Sequence, residues 1–183
     1  FIGSGISVWS GLPSWEKLIR QMVEFLCDSG SQSKETSEIE QILLEGDLLT
    51  GASLCTSLMR KGNFRDFIEE VFIKPNPKPH EIHRIIADLG PDTFITTNYD
   101  RLIDDAYHLV HNGLVLSPIN NDQPVEQARI LKHGASRFIF TPHGRAEKCD
   151  TIILTREDYR GLKYNSKSTL MTLQHLLISR PVL

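Results

Sequence analysis

The chain has 183 residues, a hydrophobic fraction of 40%, a formal net charge of −3 and an isoelectric point near 6.2. That length suits one domain with a real core, and the composition excludes a disordered chain. The mild acidity and the lack of any Lys/Arg run give no indication of a nucleic-acid partner, and no apolar run approaches the roughly 18 residues of a membrane span. No signal peptide is visible, and Cys27, Cys55 and Cys149 are too scattered for a disulfide framework or a zinc ribbon. Reduced thiols in a cytoplasmic protein are the expectation. Because the chain opens on Phe1 inside what reads as a strand and stops at Pro181-Val182-Leu183, it is expected to be an excerpt of a longer protein.

The opening strand leads straight into Gly3-Ser4-Gly5-Ile6-Ser7. Ser14 is placed to cap a helix with Trp15, Leu18, Ile19, Met22, Val23 and Leu26 on its apolar side. Residues 28–36 read as a polar surface loop, and Ser37 with Glu40 has capping-box spacing for the next helix, which carries Ile39, Ile42 and Leu43. Helices are predicted over 47–60 and 63–72, and three prolines between Lys74 and Pro79 break the pattern. Together, residues of about 35–78 read as an α-helical insert in a single domain covering 1–183.

From His80 to Leu89 the spacing predicts a helix with Ile82, Ile85, Ile86 and Leu89 facing inward. Residues 93–97 are a short β-branched strand, and 101–111 a helix. Residues 112–127 are turn-rich, with Leu114-Val115-Leu116 a possible strand. Strands are predicted over 136–141 and 151–154. Thr155 and Asp158 have cap spacing for a helix containing Tyr159, and Ser166 or Ser168 starts the last helix. Strands alternating with helices predict an α/β, Rossmann-like fold: a mostly parallel sheet flanked by helices, with the helical insert.

Three polar clusters each follow a predicted strand: Gly3 to Ser7, Thr97 to Asp100, and His143-Gly144. In open α/β sheets ligands bind beyond the carboxyl ends of the strands, so the three clusters are expected to share a pocket. Gly-x-Gly after a strand offers bare N–H groups to a pyrophosphate, although Val8 stands where the full fingerprint has its third glycine; a tight structural turn is the other reading. Asn98 can donate and accept without charge, or simply cap the following helix. Asp100 is a helix-start residue or a ligand contact. His143, the one histidine followed by glycine at a strand end, offers an imidazole able to take a proton near neutral pH. The pairs His80/His83 and His108/His111 share helix faces, but no carboxylate or cysteine completes a metal site there.

Gly3-Ser4-Gly5-Ile6-Ser7 with Gly11-Leu12-Pro13-Ser14-Trp15, then Thr96-Thr97-Asn98-Tyr99-Asp100, then His143-Gly144, resemble the ordered motifs of the Sir2 family. More narrowly they resemble the SIR2-like NAD-hydrolysing domains of bacterial anti-phage defence proteins. Thr151 to Thr155 with Asp158-Tyr159 is also typical of that branch. The resemblance departs from the protein-deacylating sirtuins. Only Cys149 follows the histidine, where they carry paired Cys-x-x-Cys zinc ligands, and Pro13-Ser14-Trp15-Glu16 replaces their Pro-Asp-Phe-Arg. No metal is therefore expected.

The resemblance implies an NAD+ glycohydrolase that releases nicotinamide and ADP-ribose, with NAD as substrate. It implies pyrophosphate contacts at Gly3, Ser4 and Gly5, with Ile6 and Ser7 nearby. Leu12, Pro13 and Trp15 would wall the nicotinamide side. Thr97 and Asp100 would bind the dinucleotide, Asp100 at the carboxamide; Asn98 would orient the ribose or attacking water, and His143 would be the base. A homo-oligomer, further domains of the parent chain and a phage-derived activator are the partners implied. A non-catalytic module that senses NAD or ADP-ribose, or that only oligomerises, is a second hypothesis; a zinc-free deacylase or ADP-ribosyltransferase is a third.

Overall fold

The computed structural model describes residues 1–30, 33–133 and 137–179. Four helices lead: α1 (Trp15–Asp28), α2 (Ser33–Leu44), α3 (Leu48–Leu58) and α4 (Lys61–Ile68), the last running into a π-helical turn over Glu69–Ile73. Next come α5 (Glu81–Asp88), β1 (Thr93–Ile95), α6 (Leu102–Val110) and β2 (Ser117–Asn120). The chain continues through α7 (Pro124–His133), β3 (Phe138–Thr141), α8 (Arg156–Asn165) and α9 (Lys167–Ser179).

The three strands are parallel in the order β1-β3-β2, with Phe94 opposite Ile139 and Ile119 opposite Phe140. Alternate strand residues point to opposite faces. Phe94 and Ile139 meet Ala87 of α5 and Ile103, Ala106 and Tyr107 of α6. Ile95, Phe138 and Phe140 meet Ile130 of α7 and Leu176 of α9. Helices therefore cover both faces of a parallel sheet, a Rossmann-like α/β arrangement. A third apolar cluster joins α1, α2, α3 and α4 to Tyr99, Leu102, Ile152 and Leu154, so the helices before the sheet are packed against its carboxyl end.

Helix starts follow the caps. Ser14 Oγ accepts from Lys17 N, and Asp47 from Thr50 N. Thr155 and Asp158 form the reciprocal box, and each such cap contributes about 1 kcal/mol. The α1 face is as predicted, with Leu18, Ile19, Met22, Val23 and Leu26 buried.

Several elements differ from the sequence reading. The opening strand is a single parallel bridge from Ile2 to Thr96, on the side of β1 away from β3, and the glycine loop enters a 3₁₀ turn, Ser7–Ser10, before α1. Helix α2 begins at Ser33, which shortens the predicted loop and puts Ser37 inside the helix. Positive φ at Asn112 and Gly113 ends α6, and the strand forms at 117–120 rather than at Leu114-Val115-Leu116. Pro118 is tolerated because β2 is an edge strand. Helix α7 replaces part of the turn-rich stretch.

Residues 151–154 form no strand: Thr151 closes a 3₁₀ turn over Cys149–Thr151, and side chains take carbonyls of the segment, Tyr99 Oη donating to Ile153 O at 2.8 Å and Asn121 Nδ2 to Thr151 O at 2.8 Å. Helix α5 is rotated from its predicted face, burying His83 and Ala87 and leaving Ile85 and Leu89 exposed. Ser136 and residues 181–183 lie outside the described residues.

Candidate functional site

Strand β1 delivers Thr96 to Asp100 to the carboxyl edge of the sheet, beside the opening loop. The Asn98 backbone N–H donates to Thr96 Oγ1 at 3.0 Å, which folds the chain tightly as the strand ends. Both Asn98 amide protons are used: Nδ2 donates to Gly3 O at 3.1 Å and to Ser7 Oγ at 2.8 Å. The Ser7 hydroxyl in turn donates to Asp100 Oδ2 at 2.7 Å, and Asp100 Oδ1 accepts from Leu102 N at 3.0 Å. One atom of this chain of bonds is left over. Asn98 Oδ1 is buried with no hydrogen-bond partner, and such an acceptor costs free energy unless something fills it.

Neither Gly3 nor Gly5 has a positive φ, and a Cβ on either would meet nothing within 4 Å. The turn itself therefore does not require glycine at either position. What the two glycines leave is bare backbone facing open space. Gly144 is the reverse case: its φ is +81°, and a Cβ there would fall 2.1 Å from Thr151 O. That close approach fixes the loop after β3, where Ile153 N–H also donates to His143 O at 3.0 Å.

The His143 ring stands edge-on to Tyr159, with centroids 5.3 Å apart at 88°. Burial holds its pKa below the ordinary imidazole value, so it is neutral and free to accept a proton at neutral pH. Just after it, buried Arg145 reaches both Asp104 oxygens at 3.0 Å through Nη2, and its backbone N–H donates to Thr151 Oγ1. Burial pushes the Asp104 carboxyl up, against the pull of the Arg145 guanidinium.

The opening loop, the end of β1 and His143 border one cavity of about 190 Å³. Of the residues singled out from sequence, Ser4, Ser7, Pro13 and Trp15 line it from the opening segment, Thr97, Asn98 and Asp100 from the end of β1, and His143 from the end of β3. Four do not line it. Gly3 contributes its carbonyl to Asn98, Gly5 is exposed, Ile6 packs against the sheet under α5 and α6, and Leu12 is buried among the helices. Leu18, Phe72, Tyr99 and Tyr159 complete the wall and were not singled out. Tyr99 stands inside the Thr96–Asp100 motif and Tyr159 follows the Thr155/Asp158 cap, so both carry a signal in the sequence, whereas Leu18 and Phe72 read only as helix residues. A neighbouring cavity of about 240 Å³ shares Phe72, Tyr99 and Asp100 and adds Arg101, Asp105 and Glu147.

The family model of the SIR2-like domain matches residues 92–183, just over half of the chain. The chain belongs to the SIR2-like domain family. Among curated relatives, this SIR2-like chain is 26% identical over 185 residues to NAD(+) hydrolase ThsA of Cytobacillus dafuensis, covering all of this chain and 33% of that protein. It is 27% identical to NAD(+) hydrolase ThsA of Acinetobacter baumannii, with all of this chain and 34% of that protein covered. Defense-associated sirtuin 2 of Bacillus subtilis is 26% identical over 90% of this chain and 15% of its own length. The SIR2-like chain thus spans about a third of the two ThsA relatives.

No group of three or more His, Cys, Asp or Glu side chains suited to a metal occurs among the described residues of the SIR2-like chain. Its three thiols are free, and burial raises that of Cys55 to about 12. No helix among those residues is long and apolar enough to cross a membrane.

Proposed function

We propose that this SIR2-like chain is an NAD+ glycohydrolase domain, cleaving NAD+ to nicotinamide and ADP-ribose as the effector of a prokaryotic anti-phage defence protein. The observation that carries the reading is the single cavity bordered by the opening loop, Asn98 and a neutral His143 at the carboxyl end of a parallel sheet. The two ThsA relatives, NAD(+) hydrolases by name, support the same chemistry, and the defense-associated sirtuin supports the setting.

Nicotinamide leaves a cationic ring as a neutral molecule, so no acid is needed at the leaving group. The transition state resembles an oxocarbenium ion, and the enzyme must fix the sugar and activate a nucleophile. Backbone at Gly3, Ser4 and Gly5 cradles the pyrophosphate, with Ile6 and Ser7 beneath it. Pro13 and Trp15 flank the pyridine ring, with Leu12 supporting them from the core. Asn98 Oδ1, the unpaired acceptor, takes the ribose hydroxyl or the attacking water, and Thr97 and Asp100 contact the nucleotide, Asp100 at the carboxamide. His143 removes the proton.

The protein acts in the cytoplasm as a homo-oligomer, together with further domains of its parent chain and a phage-derived activator. The test is nicotinamide release by the full-length protein, with and without that activator. His143→Ala and Asn98→Ala should each slow turnover by roughly 10²–10⁴-fold. Wild-type rates in both variants would refute the assignment. NAD-dependent thermal stabilisation without product would instead make the domain a sensor.

A further inference from the structure

Asn121, one residue beyond the end of β2, reaches across to the loop that carries His143. Its Nδ2 donates to Pro142 O at 3.2 Å and to Thr151 O at 2.8 Å. Both neighbours are carbonyl oxygens, which only accept, so the amide must turn its nitrogen toward them and use both protons there. The first carbonyl belongs to the peptide bond leading into His143. The second is the oxygen against which Gly144 packs, where a Cβ would fall 2.1 Å away. One side chain thus stitches residue 142 to residue 151 beside the imidazole.

The stitch is braced by side chains that the proposed chemistry does not use. Gln127 of α7 and Thr169 of α9 are fully buried, and burying polar groups costs free energy unless they are hydrogen-bonded. Gln127 Nε2 donates to Asn120 O at 2.7 Å and to Thr169 Oγ1 at 3.2 Å, and the Thr169 hydroxyl donates to Asn121 O at 3.1 Å. Asn120 N donates to Gln123 Oε1 at 2.7 Å, and Asn120 Oδ1 accepts from Thr141 Oγ1, at the end of β3, at 2.6 Å. The backbone at 120–121 is therefore held from two helices and the neighbouring strand, which fixes where the Asn121 amide starts from.

We propose that Asn121 is a positioning residue for His143, its amide clamping the 142–144 loop so that the imidazole keeps one aim into the nucleotide cavity. Asn121 does not line that cavity, so it acts only through the loop. A base must stay within hydrogen-bond reach of the proton it takes, and a displacement of about 1 Å can cost roughly 10²-fold in rate. This rests on His143 being the base of an NAD site.

The test uses the full-length protein and Asn121→Leu, which keeps the shape and removes both donors. Asn121→Ala, which lets water reach the two carbonyls, replaces it should the leucine variant fail to fold. Below the variant's Tm, kcat should fall roughly 10–100-fold with KM for NAD little changed. In a His143→Ala background the same substitution should cost almost nothing further. Wild-type kcat, a change in KM alone, or a loss undiminished in the His143→Ala background would overturn the inference.

The imidazole is also read directly. Diethyl pyrocarbonate acylates the neutral ring, so the pH midpoint of His143 labelling, followed by peptide mass spectrometry, reports its titration. Asp100 and Tyr99 at the end of β1 and Tyr159 of α8 are the titratable groups that share the cavity with the ring, and the variant leaves all three in place. Loosening the loop should admit water and move the midpoint up toward 6.5; a wild-type midpoint would overturn the inference. If the wild type releases no nicotinamide, the hydrolase reading fails, and the labelling midpoint alone decides whether Asn121 holds the ring.

Discussion

Ser7 Oγ donates to Asp100 Oδ2 at 2.7 Å, tying the opening loop to the turn after β1 across 93 positions of sequence. The serine is almost fully buried, so the bond is shielded from water and sets the height of the glycine loop over the strand ends. Ser7 also receives the Asn98 amide, so one hydroxyl orders both sides of the cavity.

Gly5→Ala separates the site from the fold. The backbone there is ordinary and a Cβ meets nothing, so stability should be unchanged or raised by up to about 1 kcal/mol. The same methyl occupies the space proposed for a phosphate. Losing one charge-assisted hydrogen bond, about 1.5–3 kcal/mol, corresponds to NAD binding roughly 10–100-fold weaker. Calorimetric titration and a thermal melt on the same sample check both halves.

Gly144→Ala should do the opposite. A positive φ and a Cβ 2.1 Å from Thr151 O force the loop to move, with a backbone strain of about 1–3 kcal/mol before the clash is counted. The denaturation midpoint should fall, and turnover should fall with it because His143 is the preceding residue.

Arg145→Ala leaves the Asp104 carboxylate buried without its partner. Both side chains are nearly inaccessible, so the cost should reach about 3–5 kcal/mol. Adding Asp104→Leu to Arg145→Ala removes the stranded charge and should recover a good part of the loss, which urea titration of the single and double variants would show.

Acid should destabilise the fold through His83 and His143. Burial lowers both pKa values below the ordinary 6.5, so the unfolded chain binds more protons once the pH drops below that value. Their contribution is fully present above 6.5 and is lost as the pH falls through the lower folded values. Unfolding midpoints measured from about pH 8 to pH 5 should decline on the acid side, less steeply in His143→Phe. Turnover should keep a neutral base somewhat below pH 6.5 before it falls.

The strand ends and helix caps were legible because each is a local matter. Ser14, Thr155 and Asp158 satisfy backbone groups within one turn, and the runs at 93–97 and 138–141 are β-branched or aromatic. What escaped the sequence reading depends on distant partners. The 151–154 segment reads as a strand, yet its carbonyls are met by Tyr99 and Asn121. Strand β2 contains a proline and survives only because it has a single neighbour. Periodicity favours Ile82, Ile85, Ile86 and Leu89 as the inward face of α5; Ile86 does pack against the sheet, but Ile85 and Leu89 are exposed and full burial goes to Ala87 and to His83, which accepts from the His80 N–H. Phe72 and Tyr159 reach the cavity from helices whose placement no short spacing encodes.

The cavity draws Ser4 from the start of the chain and His143 and Tyr159 from its last quarter. A polypeptide still emerging from the ribosome, with α6 just exposed, owns the glycines and Asn98 but neither the imidazole nor the phenol that closes over them. The cavity is complete only once synthesis has passed the first turn of α8.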